Sequence, residues 1–195
     1  MEHPFFAFLF RMKYINRWGL MKNTVSENIE EHSLEVAVLA HALALIGREI
    51  YSRDIDAERV ACLALYHDAP EIITGDLPTP VKYYSEKMRD VYREVEQDSV
   101  EKLLRMLPEE LAPAYRACLT GEENEAELYR YVKAADKLAA YIKCLEELKA
   151  GNREFHRAAL SNREALDRLE LPELTYFCEH FLGSFELTLD EMDLK

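Results

Sequence analysis

The sequence predicts a single all-α domain spanning residues 1–195. Apolar residues recur every three or four positions through most of the chain, which is the spacing of one helix face. Segments with the alternating pattern of a strand are hard to find. Internal repeats, low-complexity tracts and Gly/Ser-rich linkers are absent from the sequence, so no boundary between domains is predicted.

The N-terminal half predicts four helices in order. Pro4–Phe10 is apolar but short and lacks a basic leader, which predicts a packed terminal helix and not a signal peptide. Helices are predicted over 28–50 and 56–66, and Ser85 can cap a fourth. The apolar stripes of the last three are Val36, Leu39, Leu43, Ile46; Val60, Leu63, Ala64; and Met88, Val91, Tyr92, Val95, Val100, Leu103, Leu104, Leu107.

The C-terminal half continues the pattern. Pro108 opens a predicted helix that Gly121 closes, and a long helix is predicted over 125–149. Asn152 or Arg153 begins the next helix, and Pro172 begins one whose stripe includes Phe177 and Phe181. A capping box over 188–191 predicts a terminal turn.

Polar residues interrupt three of these apolar stripes. His32, His67 and Asp136 each lie four residues from an apolar position of their own helix, so all three are predicted to point inward. Asp68 is next to His67, and Glu71 lies one further turn along the same stripe. Buried charge is unfavourable unless the groups are paired or bind metal. Two imidazoles and two carboxylates could hold one divalent cation of borderline hardness.

Each of these residues also has an ordinary structural interpretation. A single inward His is often a hydrogen-bonded core residue, and a single inward Asp is often a cap or an ion-pair partner. The coincidence of four favours a site. His41 lies off the stripe of His32 and is interpreted as structural.

Pro70 interrupts the spacing between the His-Asp pair and Glu71. A proline inside a helix removes a hydrogen bond, so the helix is expected to end or kink there, with Pro70 opening a short second helix. Glu71 would then be displaced from the position that an unbroken helix gives it.

The pattern of His32, His67-Asp68 and Asp136 resembles that of the HD-domain metal-dependent phosphohydrolases. The segments 15–21, 27–34, 74–83 and 143–151 are similar to the bacterial 5'-deoxynucleotidase (YfbR-type) family, and the resemblance extends to the ending 184–190. It implies a helical HD domain with a metal site between helices. It also implies an enzyme that removes the 5'-phosphate from deoxyribonucleoside monophosphates, and a homodimer. The two imidazoles and the resemblance both favour cobalt or manganese over magnesium.

Roles can be assigned to the residues around this pattern. The expected metal ligands are His32, His67, Asp68 and Asp136, of which His32, Asp68 and Asp136 would also meet the substrate. Glu71 would orient or deprotonate the attacking water.

Asp76 is either the acid for the leaving 5'-oxygen or a turn-forming residue. The resemblance favours substrate contact there, with Leu77, Pro78 and Thr79 beside it. Arg17 would bind the phosphate through its forked donors, although without the resemblance a surface helix arginine is the stronger interpretation. Trp18 would crowd a 2'-hydroxyl, although a single Trp is often a core residue.

Composition restricts the partners and the compartment. A net charge of −13 argues against a nucleic-acid polymer, and no run of 18 apolar residues predicts a membrane span. The four cysteines are scattered without a CxxC pair, so the sequence does not support a Cys-type structural zinc site. Reduced thiols in a cytoplasmic protein are the simplest interpretation.

Three other functions use the same residues. A triphosphohydrolase would need more basic residues near the motifs, and a cyclic-nucleotide phosphodiesterase would be favoured by further inward histidines. A catalytically idle nucleotide sensor would not need Glu71 beside a complete ligand set.

Overall fold

The computed structural model describes residues 2–82, 84–121 and 125–192, with the side chain of Thr79 outside that description. Within these residues the chain is helical, and its only β feature is an isolated bridge between Asn16 and Asn28. The predicted all-α class is therefore confirmed. The helices are α1 (Phe5–Leu9), α2 (Ile29–Glu49), α3 (Ala57–Tyr66), α4 (Glu71–Thr74), α5 (Thr79–Lys82), α6 (Glu86–Leu104), α7 (Ala112–Thr120), α8 (Ala126–Lys149), α9 (His156–Asp167) and α10 (Pro172–His180).

The centre of the molecule is formed by α2, α3 and α8, with α10 packing on α2 and α9 on α8. The predicted stripes of α2 and α3 lie in one core with residues of α8. The Asn28 side chain begins α2 by accepting hydrogen bonds from Glu30 N and Glu31 N, and Asn28 N donates to Glu31 Oε2. This cap fixes where α2 starts, and so the direction in which His32 points. Among the described helices, none has the length and apolar composition to cross a membrane.

A second core is formed mainly by α1, α6 and α7. Phe5 and Leu9 of α1 pack there with Val100, Leu103 and the α6 residues that follow, so the predicted terminal helix is confirmed as packed. Four 3₁₀ segments complete the described helical structure, over Phe10–Tyr14, Arg153–Phe155, Leu182–Glu186 and Leu189–Met192.

The break at Pro70 is confirmed. Helix α3 ends at Tyr66, a turn covers 67–70, and Pro70 is the N-terminal cap of α4. Because Pro70 has no N–H to donate, the chain turns here without leaving a buried donor unpaired. His67 and Asp68 therefore lie at a helix end, and Glu71 begins a separate short helix.

Three details of the predicted helices are wrong. Helix α7 begins at Ala112 and not at Pro108, because Pro108 O accepts from the N–H groups of Leu111 and Ala112 in a preceding turn. Phe181 is exposed, since it follows the last residue of α10. The first half of the α6 stripe is also exposed, because Leu77 and Val81 face it only across an open cavity: Met88, Val91 and Val95.

Candidate functional site

Three separate helices bring the inward polar residues together. His32 lies in the first turn of α2, His67 and Asp68 follow the end of α3, and Asp136 lies at the middle of α8. One ligand atom from each of His32, His67 and Asp68 falls within 4.8 Å of the other two. His32 Nε2 is 3.2 Å from Asp136 Oδ1 and 3.6 Å from Asp68 Oδ2, and His67 Nε2 is 3.3 Å from Asp68 Oδ2.

His67 has the hydrogen-bond state that metal ligation requires, and the ligating nitrogens of both imidazoles lack other hydrogen-bond partners among the described residues. His67 Nδ1 lies 2.7 Å from the carbonyl oxygen of Ala64, so Nδ1 carries the proton and Nε2 keeps a lone pair. Across the described residues, Nε2 of His32 and Nε2 of His67 are buried and make no aligned hydrogen bond. Buried ring nitrogens without partners, facing carboxylate oxygens, fit a divalent cation.

The surrounding charges favour a cation at this point. Burial opposes a charge on His32, but the contacts with Asp136 and Glu27 outweigh it and raise the pKa of His32 to about 9. Burial alone would raise the pKa of Asp136. The hydrogen bond with His32 and the charge of Lys137 outweigh burial and hold that pKa well below its usual range. Either a proton on His32 or a metal ion would satisfy these carboxylates.

Glu71 lies at the start of α4 with its carboxyl group buried. Burial first, and then the negative charges of Asp68 and Asp76, raise the pKa of Glu71 to about 9. Lys82 of α5 is 4.0 Å from Glu71 Oε1 and opposes that shift. Glu71 Oε2 is buried and accepts no hydrogen bond from the described residues, so it is available to a bound water.

The loop before α2 carries Arg17 and Trp18. Arg17 Nη1 donates to Asp68 Oδ2 at 3.2 Å, and Trp18 N donates to Asp76 Oδ2 at 3.2 Å. Trp18 has φ of 58°, a left-handed conformation that is strained for a bulky residue and is concentrated at functional sites. The contact with Asp76 joins this loop to the loop after α4, so Asp76 has a structural partner besides any role with substrate.

A cavity of about 710 Å³ opens beside these residues. Arg17, Trp18, Asp76, Leu77 and Pro78 line it together with Asp136, so the structure brings these predicted substrate residues to one place. Thr79, also predicted to line it, has its side chain outside the described part of the chain. A second cleft of about 650 Å³ reaches His67, Asp68 and Glu71 from the side of α6 and α7.

Several residues at the site were not predicted from sequence. Glu27 O accepts from Arg17 N, and the Glu27 carboxylate lies against His32 and Trp18. Lys82 faces Glu71 from α5. Lys143 and Glu147 of α8 make hydrogen bonds with the loop 22–25, to Val25 O and from Thr24 N. Their charges resemble those of ordinary surface residues, and only the burial of Glu27, Lys143 and Glu147 distinguishes them.

The chain matches known proteins over almost its full length. A family model described as 5'-deoxynucleotidase YfbR-like covers residues 4–185. A 5'-deoxynucleotidase of Vibrio vulnificus is 50% identical over 191 residues, which is 98% of this chain and 98% of that protein. One from Yersinia pestis is 49% identical over 194 residues, with 100% and 98% covered.

Solved structures show the same fold at lower identity. An HD-domain phosphohydrolase of Listeria innocua superposes with a TM-score of 0.82 at 23% identity, covering 94% of this chain and 88% of that one. A cyanophage S-2L HD phosphohydrolase, solved with dA and one catalytic Zn²⁺, superposes with a TM-score of 0.64 at 21% identity, covering 91% and 96%. The HD fold and the family resemblance predicted from sequence are confirmed, and the chain belongs to the YfbR-like 5'-deoxynucleotidase family.

Proposed function

We propose that this chain is a metal-dependent 5'-deoxynucleotidase that converts deoxyribonucleoside 5'-monophosphates to deoxyribonucleoside and phosphate. Membership of the family and relatives of that name at about 50% identity support the activity. The observation that carries the proposal for this chain is the position of Arg17 and Trp18. Both line the cavity that also reaches Asp136, beside the cluster of His32, His67 and Asp68. The whole chain is proposed to form one HD domain.

His32, His67, Asp68 and Asp136 would hold one divalent ion. When bound, such an ion lowers the pKa of a ligated water and offsets the charge of a phosphate group. Two imidazole nitrogens and two carboxylates suit a transition metal better than magnesium, and we propose cobalt or manganese. The Zn²⁺ in the cyanophage HD phosphohydrolase supports a transition metal without selecting among these ions.

Glu71 is proposed to hold the attacking water. Its Oε2 is buried and free of hydrogen bonds from the described residues, and the cleft on the α6 side reaches it. A carboxylate in that position accepts a proton from the water as the oxygen approaches phosphorus. Burial and the charges of Asp68 and Asp76 raise the pKa of Glu71, and a divalent ion held beside Asp68 would offset that charge. Together with Lys82, 4.0 Å away, that ion would favour the ionised form that the base needs.

Arg17 is proposed to bind the phosphate. Its Nη1 already lies 3.2 Å from Asp68 Oδ2, so the guanidinium is held at the edge of the ligand cluster. A planar guanidinium presents several N–H groups to phosphate oxygens. Asp76, on the other side of Trp18, is proposed to protonate the leaving 5'-oxygen.

The sugar is proposed to lie against Trp18, in the cavity that Leu77 and Pro78 also line. Thr79 is proposed as a further substrate contact. The indole packs on Phe155, with ring centroids 5.3 Å apart, and is fixed by a hydrogen bond from Nε1 to Glu27 Oε2. A rigid apolar wall beside C2' leaves a ribose hydroxyl without a partner, which disfavours ribonucleotides.

We also propose a cytoplasmic homodimer. The family resemblance implies the dimer, and the exposed apolar residues of α6 offer a surface for it: Met88, Val91 and Val95. The net charge of −13 argues against a nucleic-acid polymer as partner.

A panel of substrates tests the proposed function, with released phosphate and triphosphate measured and the nucleotide products separated by chromatography. The metal-free enzyme is reloaded with cobalt, manganese or magnesium and given deoxyribonucleoside mono-, tri- and cyclic phosphates. Phosphate from the monophosphates alone supports the proposal. Release of triphosphate identifies a triphosphohydrolase, and opening of the cyclic diester identifies a phosphodiesterase. Metal binding without any turnover identifies a sensor.

A further inference from the structure

Glu27 lies between His32, a proposed metal ligand, and Trp18, the proposed wall of the sugar site. It is buried in the loop that leads into α2, one residue before the cap Asn28. One oxygen, Oε2, accepts a hydrogen bond from Trp18 Nε1 at 2.7 Å. The other, Oε1, is 3.3 Å from His32 Nδ1 and 3.5 Å from Arg17 Nε.

Glu27 faces the ring nitrogen of His32 that points away from the cluster. Asp68 and Asp136 approach Nε2, whereas Glu27 approaches Nδ1 on the opposite side of the same ring. A direct metal-ligand role for Glu27 is therefore unfavourable. A carboxylate on the second nitrogen of a metal-binding His instead fixes the proton on Nδ1 and leaves the lone pair on Nε2.

The contact between Glu27 and His32 is close but not well aligned. His32 Nδ1 and Glu27 Oε1 are both buried, and neither has an aligned hydrogen bond among the described residues. Two complementary polar atoms that face each other at 3.3 Å are each other's available partner. Catalytic hydrogen bonds are often long in the unliganded state and shorten when the site is filled.

On the other side, Glu27 fixes the only Trp in the chain. The 2.7 Å bond is short for a neutral donor, as expected when the acceptor is charged. A backbone hydrogen bond holds the same two segments together, since Arg17 N, next to Trp18, donates to Glu27 O at 2.9 Å. Movement of the Glu27 carboxylate therefore moves the indole that lines the cavity.

We infer that Glu27 is a positioning residue whose two oxygens fix the His32 tautomer and the Trp18 indole together, so that metal loading and the shape of the sugar wall depend on one carboxylate. The part concerning the sugar rests on the proposed function. The part concerning metal affinity and the Trp18 environment does not.

Glu27→Gln gives a sharp test because glutamine has one acceptor and one donor in place of two acceptors. If its oxygen keeps Trp18, its NH₂ faces His32 Nδ1 and favours the tautomer that cannot bind metal through Nε2. If its oxygen turns to His32, the bond to Trp18 is lost. The full chain with Glu27→Gln is compared with two controls, Trp18→Phe, which keeps the ring but lacks the N–H, and Glu30→Gln at an exposed carboxylate nearby.

Two readouts need no turnover. Zn²⁺ affinity is measured by competition with a chromophoric chelator, and Trp18 emission and anisotropy are recorded without and with Zn²⁺. We expect Glu27→Gln to bind Zn²⁺ about 10–100-fold more weakly, or to change the Trp18 emission of the metal-free protein, or both. Glu30→Gln should match the wild type in both readouts, and Trp18→Phe should keep wild-type affinity for Zn²⁺. Wild-type affinity together with wild-type emission in Glu27→Gln overturns the inference.

The wild-type protein provides a test that does not depend on a variant folding. A long-range ¹H–¹⁵N spectrum of the Zn²⁺-loaded protein should show His32 protonated at Nδ1. An unprotonated Nδ1 overturns the inference. If Glu27→Gln changes these readouts while the wild type releases no phosphate from deoxynucleotides, the proposed function fails and the inference stands. If the wild type releases phosphate from deoxynucleotides while Glu27→Gln leaves Zn²⁺ affinity and Trp18 emission unaltered, the inference fails and the proposed function stands.

Discussion

Glu147 and Thr24 are joined by three hydrogen bonds that fasten the loop before α2 to α8, with Thr24 N shared between both carboxylate oxygens. Thr24 N and Thr24 Oγ1 both donate to Glu147 Oε2, at 2.9 and 2.6 Å. Lys143, one turn earlier on α8, pairs with Glu147 Oε1 at 2.6 Å and donates to Val25 O at 2.7 Å. A buried ion pair thus anchors the irregular chain that carries Arg17 and Trp18, which lies beside His32 and Asp68.

This anchor predicts a pH dependence of stability. Burial raises the pKa of Glu147, but hydrogen bonds from Lys143, Thr24 and Asn152 outweigh it and lower the pKa to about 2. Because the folded-state pKa lies below the unfolded value, the stabilisation is complete above about pH 4.5 and is lost as pH falls towards 2. The shift corresponds to about 3 kcal/mol at neutral pH.

Urea unfolding at pH 7 and pH 3.5 measures this contribution. Glu147→Gln should lower the free energy of unfolding at pH 7 by about 3 kcal/mol, and the difference from wild type should shrink at pH 3.5. Glu164→Gln, which removes an exposed pair with Arg168, should cost less than about 1 kcal/mol. An equal loss for both variants at pH 7 would show that the loop is held by other contacts.

Asp136→Ala should abolish activity and lower the amount of bound metal while helical content stays nearly constant. Its side chain faces the cavity, so its removal takes away a ligand and leaves the core stripe of α8 intact. Metal content by atomic emission and far-UV circular dichroism check this, with Glu127→Ala on the exposed face of α8 as the control. Full metal stoichiometry with normal turnover would mean that Asp136 is not a ligand.

Glu71→Ala should keep metal and nucleotide binding but lose turnover by roughly two to four orders of magnitude, because a positioned acid–base group is removed. Steady-state kinetics and equilibrium nucleotide binding separate the two effects. Loss of metal together with activity would make Glu71 a ligand. Turnover near the wild-type value would mean that the water is activated without Glu71.

Trp18→Ala should narrow the deoxy-to-ribo ratio of kcat/KM. The wall leaves a ribose hydroxyl desolvated at a cost of about 1–3 kcal/mol, which corresponds to roughly a tenfold to hundredfold preference. Arg17→Ala should weaken both substrates alike, because it would contact the phosphate and not the sugar. An unchanged ratio in Trp18→Ala would place sugar recognition in the loop from Asp76 to Thr79.

The sequence was most informative where local periodicity decides the structure. His32 follows from its spacing to Val36 on a helix that begins at a capping residue, and the structure buries it fully. The break before Glu71 follows from the chemistry of Pro70 alone. Both inferences depend only on neighbours along the chain.

Tertiary contacts decided what the sequence left open. Lys143 and Glu147 are spaced like a surface ion pair, and they are buried only because the loop 22–25 lies over them. Glu27 lies outside any helical repeat, so no period indicates its position. The prediction for the first half of the α6 stripe was wrong for a related reason. An amphipathic pattern shows that a helix has an apolar face, but it does not specify what covers that face.

The position of the metal and the nucleotide in one crystal tests the proposed site most directly. Glu71→Ala crystals grown with cobalt and a deoxyribonucleoside 5'-monophosphate would be measured by anomalous diffraction. We predict one cobalt peak bound by His32, His67, Asp68 and Asp136, with the phosphate at Arg17 and the sugar against Trp18. A cobalt peak away from these four side chains, or a nucleotide outside the cavity of Trp18, would contradict this prediction.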